Sequence, residues 1–259
     1  MLLFLPSGCK RAPRTWTLEK DGLKVLHVQP KVKPGQGEIP LEIRVEGPLP
    51  VPPKVAWIPK GGRAVSSTAM EPLGTPGKAQ ARYGAKLPYL GPGKTIRYHF
   101  LLEGPKGGVL RLPREGEFEV TCKGGVSLPL LLAHIGAMFL GLLLLILVAW
   151  KCLAFLFRGK PLLSASRMVK LATFFIFLGG LPLGMIVEKK VFGTWWEGWP
   201  FGRDVTDTKT GVILVLWLVL SFLAPKEEKS RARTWAWVVL ASLVFTIALY
   251  AIPHENLKF

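Results

Sequence analysis

The run Leu128 to Trp150, LPLLLAHIGAMFLGLLLLILVAW, constrains this chain more than any other stretch. It carries no charge, and His134 is its only polar side chain. About 20 apolar residues in a helix cross the ~30 Å hydrocarbon core of a bilayer, and a spanning segment must satisfy its own backbone hydrogen bonds. The run therefore predicts a membrane helix. It also divides the sequence: residues before it are rich in Pro, Gly, Lys and Arg, and most of the chain beyond Trp150 is further apolar sequence.

The 34 Lys and Arg against 17 Asp and Glu give a net charge of +17, a balance that raises the question of nucleic acid. The cations are spread through the chain, with no basic helix and no aromatic stacking platform, so no nucleic-acid partner is expected. In a membrane protein they serve another purpose, because short cytoplasmic loops concentrate Lys and Arg and meet anionic lipid. Lys151, Arg158, Lys160, Arg167 and Lys170 come after the first span without an acid among them, which places that loop in the cytoplasm. Further spans are expected at about 171–187, 208–224 and 234–253. Pro225 ends the third, and Lys226, Lys229, Arg231 and Arg233 lie just beyond it at the cytoplasmic face. The expectation is an α+β membrane protein in the inner (plasma) membrane. Residues 10–125 form an exported β-sandwich and 126–259 a four-helix transmembrane bundle, with both termini on the extracytoplasmic side.

Residues 1–9, MLLFLPSGC, look like the end of a signal: a short apolar stretch, small residues, then Cys9, a candidate for lipidation. Beyond Thr15 the pattern turns to short alternating segments, LKVLHVQPKV, IPLEIRVEG, KVAWIPKGG, KTIRYHFLLEG and EGEFEVTC, separated by Pro and Gly clusters. Such spacing predicts a β-sandwich. The segment IRYHFLLEGPKGGVLRLP, with EFEVTC after it, resembles the late strands of bacterial immunoglobulin-like or fibronectin type III-like domains. In those, an aromatic-rich strand turns at an acidic–glycine pair and returns through a proline. The resemblance covers about 25 residues and implies a binding or spacing module without chemistry. His27 and His99 each fall within a strand. Facing each other they would make part of a copper or zinc site; otherwise they are surface or half-buried histidines. Cys9–Cys122 is a conceivable disulfide outside the cytoplasm.

Candidate functional residues lie mostly in the apolar half. An ionisable group within a span is costly, which singles out His134, about 9 Å from the outer end of its helix. Met138 lies one turn deeper, and Met185 and His254 belong to neighbouring spans near the same end. Three roles compete for His134: ligand to a b-type haem opposite His254 or Met185, hydrogen-bond partner of a quinone, or a packing bond to a backbone carbonyl. Ala133, Ala137 and Gly141 on the first span, and Gly180 and Gly184 flanking Pro182 on the second, form small-residue stripes suited to close helix packing. Trp195, Trp196, Trp199 and Phe201 crowd the outer loop, as interfacial anchors or as a docking cap. Asp204 and Asp207 have the spacing of cation ligands, although Asp207 reads better as a helix N-cap. No GxSxG, P-loop or HExxH motif is present, so an independent enzyme is not expected. These features leave three functions. The leading one is a non-catalytic subunit that binds other membrane proteins in a larger envelope or respiratory assembly. The others are an electron-transfer subunit using His134 and a ligand-binding sensor or adhesin.

Overall fold

Apolar and polar residues alternate through the first hundred residues, and a strand with that period buries one face. In the computed structural model, which describes residues 15–33, 35–74, 80–202, 204–225 and 230–252, they build ten strands. These are β1 Thr15–Lys20, β2 Leu23–Val28, β3 Glu38–Glu46, β4 Lys54–Pro59, β5 Ser66–Ala69, β6 Glu71–Pro72, β7 Gln80–Pro88, β8 Thr95–Glu103, β9 Val109–Leu112 and β10 Phe118–Thr121. All pair antiparallel in two sheets. One has the order β1-β2-β3-β7-β6; the other runs β10-β8-β4-β5, with β9 also on β8. Cys9 and His254 lie outside the described residues, and with them the lipidation site, the Cys9–Cys122 pairing and the second haem ligand.

Strand β8 shows how the core is made. Ile96, Tyr98, Phe100 and Leu102 are buried, while Arg97 and His99 between them point to the opposite face. Val25, Ile39, Leu41, Ile43 and Val45 meet them from the other sheet, all at 2% exposure or less. Burial of each such side chain is worth about 1.5–3 kcal/mol, so these few residues supply much of the sandwich's cohesion. Asp21 and Gly22, both at positive φ, close the β1–β2 hairpin. Gly47 must be glycine as well, since a Cβ there would stand 2.5 Å from the Gly22 carbonyl.

The second unit comprises 126–190 and 194–259, with 191–193 grouped with the first. Its helices are α1 Leu128–Arg158, α2 Leu163–Leu178, a π-helical turn Gly179–Leu183, α3 Gly184–Phe192, α4 Val205–Phe222 and α5 Ser230–Ala251. The α2-to-α3 stretch is one continuous span of 30 residues, so four helices are long and apolar enough to cross a membrane among the described residues. Helix α1 packs on α2 and α5, and α4 packs on the same two neighbours. Small residues line the contacts: Ala165, Ala172, Ala232 and Ala236 are fully buried, beside Val169, Val239, Cys152 and Trp217. Large apolar side chains face outward instead, with Phe139, Leu143, Val215 and Val244 each more than half exposed. Water would penalise such a surface, whereas hydrocarbon does not.

Candidate functional site

Proline 182 shapes the neighbourhood of His134. It has no N–H to donate, and the helix opens locally so that the Gly184 N–H reaches the Gly179 carbonyl five residues back. From α1, His134 Nδ1 lies 2.9 Å from that same carbonyl. A carbonyl only accepts, so Nδ1 carries a proton and donates it. Gly184 faces the imidazole, its Cβ position 3.5 Å from Cε1. Gly179 is pressed against Met138, where a Cβ would fall 2.8 Å from the sulfur and 3.0 Å from the backbone nitrogen. Helix α1 therefore approaches the π turn backbone to backbone, with His134 as the polar tie. Met185 is half-buried one residue beyond Gly184.

The small-residue positions divide among different neighbours. Gly141 packs against Ile176 and the Ala172 carbonyl of α2, with its Cβ position 2.7 Å and 3.3 Å from them. Ala137 is buried on the same side, while Ala133 is exposed. Gly180 turns toward α4, its Cβ position 2.7 Å from Thr210 Cγ2, whereas Gly184 looks at α1. Residues four apart would share a face in an α-helix; the wider π turn between these two sends them to separate helices.

The loop between α3 and α4 is strapped to the start of α4. Asp204 is the N-cap, its Oδ1 accepting from the Thr206 and Asp207 N–H groups at 2.7 and 3.0 Å. The expected cap, Asp207, is one turn inside the helix. It accepts instead from the Glu197 N–H at 2.8 Å, because the helix starts at Val205, earlier than its apolar sequence does. The Trp199 N–H donates to Thr208 Oγ1, and Gly198 sits so close to Asp207 and Thr208 that no Cβ fits. Trp196 is half-buried, its ring over Gly211 and its Nε1–H on the Gly198 carbonyl. Trp195, Trp199 and Phe201 are exposed, Phe201 at 87%, and Lys189 lies over the Trp195 ring at 5.6 Å. Of the four aromatics, one holds the loop down and three face out.

Several polar groups that the apolar pattern concealed are spent between helices. Thr173 Oγ1 lies 2.8 Å from the Val169 carbonyl, 3.2 Å from that of Trp217 and 2.7 Å from Ser221 Oγ, joining α2 to α4. Trp217 Nε1–H donates to Thr246 Oγ1, and Trp235 Nε1–H to the Leu220 carbonyl, joining α4 to α5. Lys209, only 6% exposed, donates to the Ile252 carbonyl at the end of α5. Glu188 lies against Asp207. No group of three potential metal ligands gathers among the described residues.

In the β-domain, His27 is fully buried. Its Nδ1–H donates to the Glu42 carbonyl at 2.9 Å, and its Nε2 accepts from the Tyr98 hydroxyl at 3.0 Å. Phe100 and Phe118 complete its surroundings, with ring centroids 4.7 and 4.9 Å away. Burial pushes its pKa below the usual imidazole value, partly opposed by the bond to Glu42. His99 sits on the opposite face of β8, 3.5 Å from Glu117, so the two histidines do not meet. Burial and Arg111 lower its pKa, against Glu117. Cys122 is buried and pairs with no described cysteine.

No protein-family model matches the chain, and no curated protein sequence does either. Among solved structures, astrotactin-2, described as a conserved vertebrate-specific and perforin-like membrane protein involved in neuronal development, aligns with 82% of this chain. The identity is 9% and the TM-score 0.32, and the alignment spans 37% of the astrotactin-2 chain. A likeness that weak carries no functional argument.

Proposed function

We propose that the chain is a non-catalytic integral membrane subunit. Four spans sit in the inner (plasma) membrane, and the β-domain and the C-terminus lie on the extracytoplasmic side. It docks within a larger envelope or respiratory assembly. One observation carries this: Thr173, Ser221, Trp217, Thr246, Lys209 and His134 are used to tie helices together. The large apolar side chains Phe139, Leu143, Val215 and Val244 face outward, and Trp199 and Phe201 are exposed in the loop before α4. Such a surface binds lipid or protein.

The β-domain fits an immunoglobulin-like or fibronectin type III-like module. With β1 set aside, β2-β3-β7-β6 reproduces the A-B-E-D order, and β4-β8 with β9 and β10 the C-F-G order. Such a module is a spacer or a docking surface, and its function comes from its partner.

Purification from native membrane in mild detergent tests the proposal. Stoichiometric membrane partners are expected, reduced in a Trp199→Ala/Phe201→Ala variant; a chain that is always solitary overturns it. An absorption spectrum of the same preparation tests for haem. A Soret band that disappears in His134→Ala would replace this reading with an electron-transfer subunit.

A further inference from the structure

The two sheets of the β-domain have four edges, and proteins guard such edges with charge, proline or cover. Three are guarded here. Strand β6 is only Glu71–Pro72. Strand β1 is tied to the other sheet: Trp16 meets Phe118 with ring centroids 5.4 Å apart, and Arg114 donates to the Glu19 carbonyl at 3.4 Å. The β9–β10 edge is interrupted by Pro113 and carries Arg111, Glu117 and Glu119. Strand β5 has no such protection. Its sequence SSTA holds no charge and no proline, and all its residues are exposed.

Hydrogen-bond parity identifies the open groups. The Met70 N–H donates to the Pro53 carbonyl and the Lys60 N–H to the Thr95 carbonyl, each at 2.8 Å. In an antiparallel ladder every second residue bonds to a given neighbour. Counted from Met70, Thr68 and Ser66 therefore bond to Val55 and Trp57 of β4; counted from Lys60, Ile58, Ala56 and Lys54 bond to β8 instead. Ser67 and Ala69 turn their N–H and C=O groups away from β4, and among the described residues nothing pairs with them there. Backbone donors and acceptors at a two-residue period are matched by another extended strand.

Charge indicates which strand. No Asp or Glu lies between Glu46 and Glu71, whereas Lys54, Lys60 and Arg63 do. Lys60 is answered by Glu119 at 3.4 Å. Lys54 and Arg63 are exposed, and neither makes an ion pair among the described residues; Glu103, two residues along β8 from Leu101, the partner of Lys54, is not in reach of it. Val55 and Trp57 pack on the core, so Lys54 and the Ala69 opposite it share the outer face. A strand added beside β5 lies ~10 Å from β4, a gap that a lysine and a glutamate side chain bridge across the Ala69 methyl. A second copy would bring another β4–β5 hairpin, with cations and no carboxylate. We propose that β5 is the attachment edge for an extended acidic segment of a partner protein, bonded to the backbone of Ser67 and Ala69 with a carboxylate at Lys54. This gives the subunit reading a partner chemistry but rests on the sandwich alone.

The test uses the full chain in phosphatidylcholine nanodiscs and a fluorescent hexapeptide that alternates valine with glutamate, its binding read by anisotropy. A valine–lysine peptide should bind about fivefold more weakly. Ser67→Pro removes an N–H that faces away from β4, so the sheet keeps its own bonds while peptide binding falls about tenfold. Lys54→Glu should reverse the preference between the two peptides. Hydrogen exchange in β4, unchanged in both variants, shows the sandwich intact. No binding to the unaltered chain, equal binding of the two peptides, or a preference that survives Lys54→Glu overturns the proposal. So does a dimer, seen by light scattering, that Ser67→Pro dissolves, because it assigns the edge to a second copy. A chain always solitary in native membrane breaks the subunit reading and leaves peptide binding at β5 standing, whereas failure of the peptide breaks only this inference.

Discussion

His27 and His134 make the same bond in two different surroundings. Each offers Nδ1–H to a backbone carbonyl 2.9 Å away, on β3 in one case and in the π turn in the other. The difference lies at the second nitrogen and in the packing. His27 Nε2 accepts from Tyr98, and aromatic rings enclose the imidazole completely. His134 is half-buried, and beside it two helices are brought together by glycines. In the β-domain the hydrophobic effect drives packing, and an unsatisfied polar group in that dry core is expensive. Between helices in hydrocarbon, lipid is as apolar as leucine. Cohesion there must come from close backbone approach, and a single hydrogen bond adds modestly. The same residue type is thus a keystone in one region and a minor tie in the other.

The largest effect expected from this contrast is at His27. His27→Ala leaves the Tyr98 hydroxyl and the Glu42 carbonyl without a partner and opens a cavity, for a loss of about 3–5 kcal/mol. Denaturant unfolding of the sandwich, combined with hydrogen exchange in β2 and β3, would report it. A loss below about 1 kcal/mol breaks the keystone argument. In the bundle the sensitive position is a glycine. Gly141→Leu forces a side chain into Ile176 and the α2 backbone and should cost about 1–3 kcal/mol, read by detergent-induced unfolding in micelles. If it is tolerated, the two helices do not depend on close approach.

Next comes the pH response of the sandwich. Burial depresses the folded pKa of His27, so the unfolded chain takes up the proton first. Stability is complete above the ordinary imidazole value of ~6.5 and drains as pH falls from there toward the depressed folded value, at up to ~1.4 kcal/mol per pH unit. His27→Phe should flatten that slope; a slope that survives belongs to another group. The smallest effect is at His134, where His134→Ala should cost only ~0.6 kcal/mol of bundle stability, the typical worth of an interhelical hydrogen bond in membranes. A cost matching that of His27→Ala would erase the contrast.

Some of this was legible in the sequence because its signals are local. Leu128 to Trp150 has few fates other than a long apolar helix, since every backbone group must be satisfied within the segment. LKVLHV, IPLEIRV and IRYHFLL alternate with period two, and that is enough for β2, β3 and β8. Strand β7 was not legible: QARYGAKLP has no clean alternation, and it is a strand because all nine of its residues pair with β3. The cap of α4 was misplaced for a related reason. The apolar run begins near Gly211, but Asp204 starts the helix a turn and a half earlier by satisfying its first N–H groups.

By itself, the sequence determined the division into a strand-forming half and a helical half and the number of apolar helices. Composition and period act over neighbouring residues and need no knowledge of partners. Only the tertiary structure decided what the unusual residues do. The carbonyl that meets His134 is 45 residues away in the chain, on a turn whose shape comes from Pro182. Tyr98, which completes His27, is 71 residues away on the other sheet. Gly180 and Gly184, evenly spaced in the chain, part company because a π turn rotates one away from the other. A side chain's role is fixed by what stands across from it, and that is set by long-range packing that no local pattern encodes.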